Sequence, residues 1–318
     1  MTADEVPDEP APTVAQDSTP AGAAAAFFAV LLWGLGNVII AGIPMNGLAI
    51  GTYRLGLGAV VYTAWLYVRG GRLTRRAFVL GWKGGLAFGL DIATFFLAIR
   101  NTSVAIAVTL SALQPVVIVG FAAVMFGERI HRRHIVGTAV AVPAVALVAF
   151  GAGAGSVHSV FGDVMAVAAL FAWAAYFITS KKAREELGTM EYMTVLNIVG
   201  FLTVLALAVP TGALVGSGAE VTPKVALAIV GVLLLPGSGH IVINWAHAHT
   251  TLMLSSLATL AMPVISTVAA LVFLGQEVTA VQVVGIVVVL ATLAVVVVGD
   301  SREIRRATRI AGDLGSPD

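Results

Sequence analysis

Two stretches of the chain decide its fold: Leu110–Phe150, LSALQPVVIVGFAAVMFGERIHRRHIVGTAVAVPAVALVAF, and Ala258–Val298, ATLAMPVISTVAALVFLGQEVTAVQVVGIVVVLATLAVVVV. Laid over each other at an offset of 148 residues, they place Pro115 on Pro263, Gly127 on Gly275 and Gly137 on Gly285. The same offset upstream brings Ala98 onto Ala246 and Thr102 onto Thr250, and an offset of 140 brings Trp33 onto Trp173. Any two hydrophobic runs share some likeness. Coincident prolines, glycines and a tryptophan at sparse positions point instead to a duplicated unit.

Working outward, apolar runs separated by polar breaks give spans 22–43, 46–68, 76–98, 102–126, 133–150, 160–180, 190–212, 223–246, 250–274 and 279–299. Helices of about 18–25 residues are long enough to cross a hydrocarbon core of ~30 Å. Lipid offers the backbone no hydrogen-bond partners, so segments of this kind close their own bonds as helices. The breaks carry turn chemistry, as in Ile43-Pro44-Met45-Asn46, Gly70-Gly71 and the run from Gly151 to Gly155. The expectation is an all-α membrane protein with ten transmembrane helices arranged as two five-helix repeats. Five is odd, so the second repeat is inverted relative to the first, an arrangement characteristic of transporters. The expected domains are a disordered acidic tail over 1–21, repeats over 22–150 and 160–299, and a basic cytoplasmic tail over 300–318.

Composition agrees with this reading. Of the 318 residues 58% are hydrophobic and 11% charged, too few charges to cover a soluble domain. The net charge of +1 gives no basic field for nucleic acid. Cysteine is absent, which excludes disulfides, thiol catalysis and thiolate metal sites. The N-terminal tail lacks a basic region, so the first span is expected to act as an uncleaved insertion signal. With the N-terminus inside, 15 of the 18 Lys and Arg fall on the cytoplasmic side, among them Arg72, Arg76, Arg129, Arg133, Lys182 and Arg305. The positive-inside rule then places both termini in the cytoplasm, and the plasma membrane is the expected location.

Ionisable groups inside a bilayer are costly, at least ~2.5 kcal/mol near a helix centre, and each needs a reason. Arg54 and Asp91 are the main cases. Counted from the ends of their spans, both lie roughly 10–12 Å below the outer end. Asn37 sits at a similar level in the first span. As a functional site, Arg54 suits a carboxylate or phosphate through its planar fork, and Asp91 suits an amine or a proton. As a structural feature, the two would pair and lock the second and third spans together. A second polar cluster is Pro236-Gly237-Ser238-Gly239-His240 with Asn244 and Trp245, where Pro and two Gly loosen a helix as in discontinuous transport helices. At the 148 offset Asp91 falls on Gly239, next to His240, so each half carries a titratable group near one depth. His240 is a candidate proton relay or a histidine bonded to a backbone carbonyl. Gln114 precedes Pro115 in mid-span. Trp33 and Trp173, at helix centres, either wall an organic-ligand cavity or pack against lipid, and Tyr176 is a further candidate. His131 and His134 flank two arginines, which discourage a metal; a wet cytoplasmic loop is expected there. The chain has no HExxH, GxSxG or GxxxxGK[ST] motif. Asp163, at the outer start of its span, is poorly matched in depth to Asp91 for an aspartyl-protease pair.

The chain resembles the drug/metabolite transporter superfamily, and within it the EamA-like permeases. The resemblance is carried by Leu32-Trp33-Gly34, by Ala98-Ile99-Arg100-Asn101-Thr102-Ser103 leading to Pro115, and by Gly127-Glu128-Arg129 with Gly137. It is carried again by Ala246-His247-Ala248-His249-Thr250, Pro263 and Leu274-Gly275-Gln276-Glu277. The resemblance implies ten helices, two repeats, a central cavity and transport of small metabolites, often outward, without ATP hydrolysis on the chain; no enzymatic activity and no cofactor are expected. Gln276 stands where the first half has Glu128, a departure from strict repetition. The expected function is alternating-access transport, by export, of small metabolites such as amino acids. The expected lining is Asn37, Arg54, Asp91, Gln114, His240 and Asn244, walled by Trp33, Trp173, Tyr176 and Trp245, with Asp91 and His240 coupling to protons. Expected partners are a small-molecule substrate and the lipid bilayer, with a homodimer left open. The alternatives are a membrane scaffold or receptor, or an intramembrane enzyme.

Overall fold

A computed structural model describes residues 19–102, 107, 110, 111, 113–150, 159–274 and 278–314, and among these the regular structure is helical throughout. The helices are α1 (Pro20–Gly42), α2 (Gly47–Val68), α3 (Arg75–Asn101), α4 (Gln114–Phe126), α5 (Arg132–Phe150), α6 (Val160–Ala183) and α7 (Thr189–Ala208). They continue as α8 (Pro223–His247), α9 (Leu252–Leu274) and α10 (Ala280–Leu314). Seven of them are long and apolar enough to cross a membrane: α1, α3, α6, α7, α8, α9 and α10.

The starts follow local chemistry. Thr19, Asn46, Thr74, Ser159, Thr222 and Thr251 each turn a side-chain oxygen onto an N–H of the first helical turn. Such caps satisfy donors that no preceding carbonyl can reach. Pro20 and Pro223 occupy first-turn positions where no N–H is needed. Two elements differ from the sequence expectation, and a third lies partly outside the described residues. The 102–126 span lies partly outside the described residues; within it residues 107, 110 and 111 are helical, and a continuous helix runs Gln114–Phe126. The 250–274 span contains a 3₁₀ turn at Thr259–Ala261, just before Pro263. The final helix runs on to Leu314 instead of stopping near 299, because Ser301–Ile310 holds no Gly or Pro and four of its residues are Arg, a good helix former.

The centre of the bundle is a sandwich of α3 against α6 and α7, with α2 packed on α7 and α1 laid along α8 and α9. α5 and α10 pair beside it. Large apolar side chains such as Val68, Val124, Phe273 and Val295 are exposed on the outer faces. A belt of this kind is what a lipid-facing surface requires.

Candidate functional site

The two intramembrane ions meet. Arg54 from α2 and Asp91 from α3 line one small cavity of about 50 Å³ together with Trp33, Asn37, Trp173 and His240. Ile40, Phe95, Phe96 and Met262 close its apolar walls. Both ions are buried. No hydrogen bond or ion pair joins them among the described residues, which departs from the locked pair the sequence also allowed. Arg54 instead holds its guanidinium carbon 5.5 Å from the Phe88 ring centroid, where the negative face of the ring attracts it. Asp91 Oδ1 is buried with no hydrogen-bond partner in the protein, and so is Trp173 Nε1. One acceptor and one donor thus stand unpaired at a cavity that also holds a cation. Buried polar atoms are rarely left in that state unless something else bonds them.

The aromatic walls are positioned by α8. Its first segment ends at Val232, a π-helical turn covers Leu233–Gly237, and a second segment runs Ser238–His247. Pro236 lies inside that turn, lacks an N–H and breaks the regular ladder. Its own carbonyl accepts a hydrogen bond from Trp33 Nε1 at 3.1 Å, which ties α1 to the irregular turn. Gly239 faces the same indole: a Cβ there would lie 2.7 Å from Trp33 Nε1. Trp33 meets Trp173 edge to face at 5.7 Å and the His240 ring at 4.9 Å. The loosening read from Pro236, Gly237 and Gly239 is therefore present, and the Trp33 indole is seated against it.

Of the remaining expected residues, some adjoin this cavity and some stand apart. Asn37 lines it and donates to Ser266 Oγ at 3.3 Å. Tyr176 lies behind His240, its hydroxyl sharing a hydrogen bond with His240 Nδ1 at 3.2 Å. Asn244 Nδ2 donates to that hydroxyl at 2.8 Å and to the His240 carbonyl at 2.7 Å. His240 is therefore bonded to a side chain and enclosed by the rings of Trp33, Phe88 and Tyr176. Gln114 is buried on α4 and accepts from Thr259 Oγ1 at 3.4 Å, away from the cavity lining. Trp245 is 37% exposed and stacks on the His249 ring at 3.9 Å, outside the cavity. One residue further along a helix turns about 100°, so a buried Asn244 sends Trp245 outward.

Two ionic groupings escaped the sequence reading. His134 is buried, and its Nε2 lies 3.0 Å from Asp300 Oδ1, which Arg133 also contacts at 2.6 Å. This region was expected to be a wet loop; the pairing of α5 with α10 brings it a carboxylate. Glu128 and Lys181 are also buried, 3.5 Å apart. Nearby Arg184, between α6 and α7, donates to the Asn244 carbonyl at 2.9 Å; burial pushes its pKa down to about 10, opposed by Tyr192.

Residues 20–150 and 160–298 match the EamA-like transporter family. The chain belongs to the EamA-like transporter family. It is accordingly a multi-pass membrane protein and a transporter of the drug/metabolite type. An uncharacterized transporter of Clostridium kluyveri is 26% identical over 211 residues, covering 65% of this chain and 68% of that protein. A solved crystal structure of a protein with 23% sequence identity superposes with a TM-score of 0.71, covering 90% of this chain and 99% of that one. The likeness to that structure is one of fold.

Proposed function

We propose that this EamA-like transporter carries small zwitterionic metabolites, amino acids among them, outward across the plasma membrane by alternating access around the Arg54–Asp91 cavity. The observation that carries this reading is the unpaired state of the two ions. A substrate carboxylate would take the guanidinium of Arg54 and the Nε1–H of Trp173, and a substrate ammonium would take Asp91. Each ion is left available because the other does not neutralise it directly. Water-poor surroundings strengthen such contacts and make an empty charged site costly, which favours a site that is loaded in transit. Asp91 is also the group proposed to carry a proton when substrate is absent, with His240 as the second titratable group of the cavity.

Alternating access rests on an inverted repeat of ten crossings, in two five-helix domains over 22–150 and 160–299, with both termini cytoplasmic. Support comes from a reciprocal contact between the halves. Thr19 Oγ1 donates to the His249 carbonyl at 2.8 Å, and the Cβ position of Gly22 lies 2.3 Å from that oxygen. Ser159 Oγ donates to the Asn101 carbonyl at 2.6 Å, and Gly162 lies against the same residue at 2.6 Å. Ser159 and Gly162 follow Thr19 and Gly22 by 140 residues, and His249 follows Asn101 by 148. These are the offsets at which the halves of the sequence match. Each half therefore lays the start of its first helix on the end of the third helix of the other.

The test is counterflow of a labelled panel of amino acids and related metabolites in proteoliposomes at two internal pH values, with wild type and Asp91→Asn. Accumulation of a zwitterionic label that Asp91→Asn abolishes or makes pH-independent supports the reading. Exchange of labels lacking a carboxylate, unchanged in Asp91→Asn, contradicts it.

A further inference from the structure

We propose that Glu128 and Lys181 form a latch that seals the end of the bundle at which α1 begins, and so set the face on which the resting carrier presents its site. The inference rests on the alternating-access reading above and adds to it the residues that hold one gate shut.

Gly127 ends α4 in the left-handed region, at φ +61°, and the chain turns there to send Glu128 inward. The Glu128 carboxylate accepts hydrogen bonds from the backbone N–H groups of Leu252 and of Met253, the latter at 3.0 Å. These are first-turn donors of α9, which lack carbonyl partners within the helix and lie at its positive end. From α6, Lys181 Nζ lies 3.5 Å from Glu128 Oε1 and donates to the carbonyls of Thr250 at 2.8 Å and His247 at 3.4 Å. One carboxylate and one ammonium thus bind the end of α4, the end of α6 and the α8–α9 turn to each other. Lys181 is 1% exposed, so the pair is cut off from water. The latch shares its end of the bundle with the start of α1, because Thr19 bonds His249, one residue from Thr250.

Between latch and cavity lies a set of buried polar atoms with no partner in the protein. They are Asn244 Oδ1, both ring nitrogens of His247 and Ser255 Oγ. Along α8, His240 faces the cavity, Asn244 follows one turn later, and the backbone carbonyl of His247 accepts from Lys181 of the latch. Ser255 is one turn into α9 from Leu252. Orphaned polar groups are rare in well-packed interiors. A row of them leading from the binding cavity to a charged seal fits a collapsed polar route, whose groups bond water or substrate once the seal parts. In the sequence, the positions that match Lys181 and Glu128 at offsets of 140 and 148 are Ala41 and Gln276, the latter followed by Glu277. The Lys181 ammonium therefore has no charged counterpart at the matching position of the repeat, which biases the two half-cycles unequally.

The cysteine-free chain suits a sidedness test. Two reporters are introduced singly: Ser255→Cys on the collapsed route and Ile40→Cys on the cavity wall. Each is labelled with a small charged methanethiosulfonate from one membrane face at a time. With the latch intact, the Ser255→Cys reporter resists reagent from the latch side, and the Ile40→Cys reporter reacts from the opposite side. Adding Lys181→Met or Glu128→Gln is expected to raise labelling of the first by about tenfold or more and to lower labelling of the second, as removal of one partner of a buried ion pair shifts a two-state equilibrium. Lys181→Arg, which keeps the charge, is expected to hold the original sidedness. Unchanged labelling from both faces in a variant whose thermal unfolding is like wild type overturns the proposal. A gain at the Ser255→Cys reporter without a loss at Ile40→Cys upholds the latch and removes alternating access instead. If the neutral variants do not fold, Glu128→Asp replaces them: an intermediate gain supports the latch, and wild-type labelling overturns it.

Discussion

Arg54 and Asp91 enter one cavity from neighbouring helices without bonding to each other: Arg54 lies over the Phe88 ring, and Asp91 Oδ1 has no partner in the protein. Two opposite buried charges this close to a shared space would ordinarily lower their energy by pairing. Held apart, the guanidinium is open to a carboxylate, and Asp91, on giving up its proton, is open to an ammonium. A zwitterion satisfies both at once, and a monovalent ion of either sign leaves one unpaired.

Arg54→Gln is expected to weaken half-saturation by a carboxylate-bearing substrate by roughly 10- to 150-fold, the value of a charge-assisted hydrogen bond of ~1.5–3 kcal/mol. The guanidinium makes no ion pair in the resting site, so thermal unfolding in detergent should shift little beyond the lost contact with Phe88. Initial transport rates against substrate concentration, with a melting curve of the same preparation, check both parts. Equal affinity in the variant would remove Arg54 from the site.

Asp91→Asn is expected to abolish transport or to render it independent of pH, because the group proposed to hold the proton can no longer release it. His240→Gln is expected to retain a residual pH dependence carried by Asp91. Rate profiles between about pH 5 and 8, the range in which an unperturbed histidine titrates, distinguish the two. A pH profile in Asp91→Asn identical to wild type would end its proton role.

Trp33→Phe keeps the aromatic bulk and removes the Nε1 donor that bonds the Pro236 carbonyl. The expected cost is about 0.5–1.5 kcal/mol of stability, typical of one such hydrogen bond. It should appear as a lowered thermal midpoint, with transport altered as well, because the bond fixes α1 to the irregular turn of α8. A midpoint equal to wild type would show that the bond does not contribute.

Gly22→Ala and Gly162→Ala probe the reciprocal contact of the halves. In each, the added methyl would meet backbone of the other half at 2.3 Å or 2.6 Å. Each is expected to destabilise by roughly 1–3 kcal/mol, the range for overpacking at a rigid contact. Comparable losses from both are expected of a repeated interface, measured as thermal midpoints in one detergent. Loss at only one site would argue that the two contacts are not equivalent.

How far these features could be read in advance depended on what each requires. Depth along a helix is a count of residues, so Arg54 and Asp91 could be brought to one level without a structure. The irregular turn in α8 was legible because Pro236 cannot complete a helical ladder. Azimuth was less accessible. Trp245 follows Asn244 directly, yet one side chain is 37% exposed and the other fully buried, a difference set by which neighbours surround α8. The Glu128–Lys181 pair was hidden for a related reason. Its members come from α4 and α6, and the groups they bind are backbone atoms of the α8–α9 turn, which carry no side-chain signature. His134 likewise found its partner, Asp300, only through the packing of α5 against α10.

The most direct measurement is the exit of labelled substrate from loaded proteoliposomes, with and without unlabelled substrate on the opposite face. A single central site exposed to one face at a time requires saturable exit that speeds up when the returning site is loaded. That acceleration, lost in Asp91→Asn, is the expected result. Exit that rises linearly with concentration and ignores substrate on the far side would contradict the carrier account.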